Sequence, residues 1–149
     1  MTQDRTWLIV AGVLSALAAL AHLAVIAGGP DWYRFFGAGE GMARAAERGE
    51  LRPALITAGI AAILFVWAAY AFSAAGLIPR LPLLRTGLVA ISAVYLLRAL
   101  APAAILLLRP GMMSPFWWWS SAIVLVYGLA YAIGTRAAWP RLSGAGQAL

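Results

Sequence analysis

The sequence contains no cysteine, no lysine and only one histidine among its 149 residues. Without cysteine there can be no disulfide, thiolate nucleophile, iron–sulfur cluster or acylated cysteine. Without lysine there can be no Schiff-base or phosphate-loop lysine chemistry. Metal sites need several ligands, and a lone histidine could bind haem in the usual two-ligand manner only across a symmetric dimer. We therefore predict neither a metal nor a cofactor.

Charged side chains are also scarce, at 11% of the chain, whereas hydrophobic residues make up 64% and the mean hydropathy is +0.87. A soluble domain is about half apolar and about a quarter charged. This chain has too little polar surface to cover a water-soluble globule. We expect a single membrane domain over residues 1–149.

Four long runs carry at most one charge each: Trp7–Ala27, Pro53–Pro79, Thr86–Leu108 and Gly111–Thr135. Each run meets the length of about 20 apolar residues that a membrane-spanning helix needs, and none alternates as a barrel strand would. The predicted fold is an all-α integral membrane protein, a four-transmembrane-helix bundle. Its helices are expected at about 7–27, 54–78, 84–108 and 113–136, with an amphipathic loop of about 25 residues at 28–53 and a C-terminal tail at 137–149.

A cleaved signal peptide is the alternative for the first run, but its apolar stretch exceeds the usual signal core of about 7–15 residues. The net charge of +6 comes from arginines spread over helix ends and one loop, which argues against nucleic acid as a partner. The arginine counts on the two sides of the membrane tie. We favour a bacterial inner membrane, from the alanine- and arginine-rich composition, with both termini cytoplasmic.

The third run carries the strongest functional signal. Tyr95, Arg98, Pro102 and Arg109 share one helix face, and Arg98 lies near mid-depth, where a charge costs about 2.5–3.5 kcal/mol. Pro102 has no N–H, so the carbonyl of Arg98 loses its helical donor and a kink is expected. No run contains Asp or Glu. The partner of Arg98 is therefore a loop acid, neutral acceptors, a lipid phosphate or an anionic ligand.

Other candidate residues surround this position. His22 lies at the end of a small-residue stripe on the first helix, and Glu40 is the best-placed loop acid. Trp67 needs an acceptor for its indole N–H, for which the carbonyl of Arg98 is a candidate. A polar stripe on the fourth helix is expected to face the bundle. Its members are Ser120, Val124, Tyr127, Tyr131 and Thr135.

The loop after the first helix is unusually aromatic. We predict that residues 32–36 lie in the membrane interface and that residues 41–50 form a short surface helix. Gly37 and Gly39 give a turn rather than a nucleotide fingerprint, which needs a third glycine. On the second helix, Ala58-x-x-x-Ala62 and Ala71-x-x-x-Ala75 are predicted to be packing seams.

These features favour a binding module over an enzyme, and no catalytic set is assigned. The predicted pocket contains Arg98, His22, Tyr95, Tyr127, Glu40 and Trp67, and its ligand is amphipathic and anionic: a lipid headgroup, a fatty acid or an isoprenoid phosphate. The alternative is an accessory or assembly subunit with a membrane-protein partner, or a homodimer, in the bilayer. A small dimeric transporter ranks lower, because no membrane carboxylate is present to couple protons.

Overall fold

The computed structural model describes residues 3–108 and 115–144, and all regular structure in them is helical. Six helices follow one another: α1 (Gln3–Gly28), α2 (Pro30–Phe35), α3 (Glu40–Glu47), α4 (Arg52–Ala74), α5 (Leu84–Leu108) and α6 (Pro115–Gly144). The four longest, α1, α4, α5 and α6, are long and apolar enough to cross a membrane. The predicted four-helix membrane fold is confirmed, and the chain is a multi-pass membrane protein.

The end of α4 comes earlier than expected, at Ala74 rather than near residue 78. Gly76 has a φ of +73°. Its N–H donates to the Ser73 carbonyl, and the Leu77 N–H donates to the Phe72 carbonyl, which is the hydrogen-bond pattern of a glycine-terminated helix. The Ser73 hydroxyl then donates to the Pro79 carbonyl and accepts from the Leu81 N–H. These bonds fix the short connection to α5.

The last helix is longer than expected, because α6 continues through Pro140 to Gly144. A proline inside a helix removes one N–H but does not always end the helix. Arg141 lies in the last turn, where a cation interacts favourably with the negative end of the helix dipole. The segment predicted as a tail is therefore partly helical.

Residues 15–66 form one compact unit. Within it, α2 and α3 pack through a small core of Val25, Tyr33 and Ala43. The short helix predicted after the aromatic segment is confirmed as α3. Helix α2 buries Tyr33 but exposes its other aromatic rings, with Phe35 77% exposed. Their location in the membrane interface stays a prediction.

The second compact unit comprises residues 1–14 and 67–149. Its contacts join Arg85 to Trp139 and Arg98 to Ser121, so α5 and α6 lie antiparallel along each other. Close approach depends on glycine: a Cβ at Gly128 would lie 2.8 Å from Leu96 Cδ2 and 3.2 Å from the Leu96 nitrogen. Ala71 and Ala75 are buried as predicted, whereas Ala62 in the other unit is exposed.

Substitution of Gly128 by Val should destabilise the protein by about 1–3 kcal/mol, because the added methyl groups overpack the contact with Leu96. Gly59→Val is the matched control, since a Cβ at Gly59 meets nothing within 4 Å. The measurement is thermal unfolding of both variants in the same detergent. Equal losses in the two variants would show that α5 and α6 do not rely on this close approach.

Candidate functional site

The guanidinium of Arg98 is held by the first turns of α6. One nitrogen donates to Ser121 Oγ at 3.0 Å and another to Ser120 Oγ at 3.3 Å. The guanidinium carbon lies 4.9 Å from the ring centre of Trp117, within cation–π range. Ser121 is buried and Arg98 is half-buried. The hydrogen-bond partners of Arg98 are thus neutral acceptors, one of the alternatives that the sequence left open.

The positive charge of Arg98 has no acidic partner on the described helices α5 and α6. Arg98 contacts the first two turns of α6, through Trp117, Ser120 and Ser121. A guanidinium has five N–H donors, and Ser120 and Ser121 accept only one each. Among the described residues of α5 and α6 there is no carboxylate. The guanidinium therefore has N–H donors left over and no carboxylate on either described helix to neutralise it.

Pro102 modifies the same part of α5. It is buried, and its missing N–H deprives the Arg98 carbonyl of its usual donor four residues later. Helix α5 continues past it to Leu108. The kink stays a prediction. Arg109, expected on the same face, lies outside the described residues.

Four aromatic side chains form a cluster around Tyr95, which lies one turn before Arg98 in α5. The centre of the Tyr95 ring lies 4.8 Å from that of Trp67 in α4, and 5.6 Å and 5.5 Å from those of Tyr127 and Tyr131 in α6. The Tyr131 hydroxyl donates to the Trp67 carbonyl at 2.8 Å. Three predicted site residues, Tyr95, Tyr127 and Trp67, are therefore brought together. Tyr131, which is completely buried, joins them and ties α6 to α4.

His22 and Glu40 belong to the unit of residues 15–66, and each has partners there. His22 Nδ1 lies 2.8 Å from the Ala18 carbonyl. Because a carbonyl only accepts, Nδ1 is the donor in this bond. Whether His22 and Glu40 share a pocket with Arg98 stays a prediction.

Glu40 is the centre of an ion network on the loop. Its two oxygens accept from Arg34 Nε and from an Arg34 terminal nitrogen, both at 3.0 Å, and Arg44 adds a third bond at 3.0 Å. Arg34 also donates to Glu47 at 2.7 Å and to Asp31 at 3.3 Å. The bonds from Arg34 and then Arg44 lower the pKa of Glu40 to about 2. Hydrogen bonds to Glu40 and then Glu47 raise the pKa of Arg34 above its usual value.

Sequence reasoning missed the role of Ser120 and Ser121. The available signal was the polar stripe on the fourth helix, which begins at Ser120 and ends at Thr135. Both ends of that stripe are directed to α5 or buried, as expected of polar groups in a membrane helix. No protein-family model, curated protein or solved structure matches the chain. Its function therefore has to be inferred from these contacts.

Substitution of Arg34 by Gln should loosen the α2–α3 segment, because Arg34 bonds three carboxylates. We expect faster amide hydrogen exchange over residues 36–47. Arg48→Gln is the control, since Arg48 pairs only with Glu50 among the described residues. Equal exchange in the two variants would remove Arg34 as the organiser of this segment.

The same network predicts a pH dependence. The pKa of Glu40 is lower in the folded chain than its ordinary value of 4.5, so its stabilising contribution is full above that pH and is lost as pH falls toward about 2. Carbon-13 NMR of labelled glutamate carboxyls measures this titration directly. Arg34→Gln should shift the midpoint of Glu40 upward, toward 4.5. An unchanged midpoint would contradict the assigned cause.

Proposed function

We propose that the protein binds an amphipathic anionic ligand, whose headgroup is held by Arg98. The observation that supports this is the set of partners around the guanidinium: two neutral hydroxyls and a tryptophan face, without a carboxylate among the described residues of α5 and α6. An unpaired cation in an apolar span is costly and is typical of a functional position. An anion would neutralise it.

The chemistry of arginine narrows the ligand class. Its planar fork binds two oxygens of a carboxylate or phosphate at once, which a lysine cannot do. The hydroxyls of Ser120 and Ser121 fix the plane of that fork. The ligand's apolar part would lie along the exposed leucines that follow on α5, Leu106, Leu107 and Leu108. A lipid headgroup, a fatty acid and an isoprenoid phosphate all meet this description.

We further propose that the membrane is a bacterial inner membrane, with both termini in the cytoplasm. The lysine-free, alanine- and arginine-rich composition supports the first point. For the second, each side carries five arginines, but four of the five acids lie in the loop at 28–52, so the side of the two termini has the larger net positive charge.

The test is native mass spectrometry of the protein released from membranes in a mild detergent. A defined added mass should be present on the wild type and absent from Arg98→Leu, with membrane insertion preserved. Arg98→Lys should retain less of it, because the charge remains but the fork is lost. Arg52→Leu, which removes the same charge from the start of α4, should retain all of it. Retention in Arg98→Leu equal to that of the wild type would refute the proposal.

The second candidate is an accessory subunit of a larger membrane complex. It is favoured by the exposed small residues of α4: Ala62 is exposed, and a Cβ at Gly59 would meet open space. Small residues on a free face allow another helix to approach closely. This candidate predicts that a particular protein co-purifies after gentle solubilisation and is lost in Gly59→Leu. Recovery of the bare protein in several mild detergents would exclude it.

A further inference from the structure

A second polar feature lies at the opposite end of the α5–α6 pair from Arg98. There a cavity of about 610 Å³ opens between the two helices. Its lining is mostly apolar, with Val89, Ala132, Pro140 and Trp139, and it also includes the polar residues Ser92, Thr135 and Arg136. Its lining residues on α5, Val89 and Ser92, lie nine and six residues before Arg98, or roughly 14 and 9 Å along the helix. On α6 its lining begins at Ala132, eleven residues after Ser121, and none of the lining residues bonds Arg98. The cavity is therefore separate from the Arg98 site.

The hydroxyl of Thr135 is unusual within this cavity. The residue is only 5% exposed, yet its Oγ1 has no hydrogen-bond partner among the described residues. Ser92 across the cavity differs, because its hydroxyl donates to the Leu88 carbonyl one turn earlier in the same helix, at 2.7 Å. A buried hydroxyl without a partner costs free energy, so a group that bonds to Thr135 would be stabilised there.

Two arginines give this end a positive charge. Arg136 lines the cavity, and the guanidinium carbon of Arg85 lies 4.2 Å from the ring centre of Trp139. Asp4 is the only acid in the unit of residues 1–14 and 67–149, and it pairs with Arg141. Neither Arg85 nor Arg136 forms an ion pair within the part of the chain that the structure describes.

We propose that this cavity binds the headgroup of an anionic glycerophospholipid. The phosphate oxygens accept hydrogen bonds from the Arg136 guanidinium, and Arg85 adds a second positive charge. The Thr135 hydroxyl, which is closed to solvent in this structure, turns toward the phosphate when the lipid binds and donates to it. The acyl chains lie on the apolar wall of Val89 and Ala132. A lipid fits better than a free anion, because most of the wall is apolar and the cavity lies between two membrane-spanning helices, near the end where arginine and tryptophan side chains typically meet headgroups.

The experiment titrates detergent-purified protein with phosphatidylglycerol or phosphatidylcholine and counts bound lipid by native mass spectrometry. The wild type should bind phosphatidylglycerol saturably and prefer it to phosphatidylcholine. Loss of a charge-assisted contact in Arg136→Leu should weaken binding about tenfold or more. Thr135→Val, nearly the same shape without the hydroxyl, should weaken it about threefold or more.

Two control variants and one competition test whether the lipid occupies this cavity. Thr86→Val, at an exposed threonine of α5, should bind like the wild type. Arg98→Leu should keep one saturable phosphatidylglycerol site that is lost in Arg136→Leu, even if it loses the added mass expected for the Arg98 site, so the two proposals fail independently. Equal affinity for both lipids, or wild-type binding by Thr135→Val and Arg136→Leu, would overturn the proposal. Displacement of the lipid by millimolar inorganic phosphate would assign the cavity to a free anion and overturn it as well.

Discussion

The absence of water in the bilayer core is the constraint on which this structure depends. A polar group in that region has to find its partner inside the protein, and each group left without one costs several kcal/mol. Helix α6 meets this requirement at two positions, whereas its Thr135 hydroxyl has no partner among the described residues. Arg98 bonds Ser120 and Ser121, and the Tyr131 hydroxyl bonds the Trp67 carbonyl. The polar stripe of α6 thus serves as the surface on which α5 and α4 pack.

Charge divides unevenly between the two compact units. Residues 15–66 contain four arginines and four acids, so this unit carries no net charge. Arg34 and Glu40 pair with each other within it. The entire net charge of +6 lies in the rest of the chain, where Asp4 is the only acid. The other four acids lie in the loop and bond arginines of that loop, and Asp4 pairs with Arg141. This distribution is the common basis of both proposed anion sites.

The helices could be predicted from the sequence because run length and lack of charge are local signals, and the 3.6-residue period placed Tyr127 on the face that packs with Tyr95. Helix ends were harder to predict from the sequence. The glycine cap at Gly76 ends α4 before the expected residue 78, through hydrogen bonds within one turn. The partners of Arg98 depend on the register of α5 against α6. That register is fixed where Gly128 lets Leu96 approach, and no pattern in either helix alone encodes it. The cavity beside Thr135 is likewise a property of the pair.

Arginine bonded to hydroxyls, rather than to acids, has a consequence for binding. A buried ion pair satisfies a guanidinium and leaves it little affinity for a further anion, whereas hydroxyls orient the group without neutralising it. Ser120 and Ser121 hold Arg98 in this way, and Arg136 forms no ion pair with an acid of the described residues. Substituting an acid for Ser121 would give Arg98 an internal counterion. A protein that needs its arginines only for folding would gain from such a pair, while one that binds anions would lose its ligand.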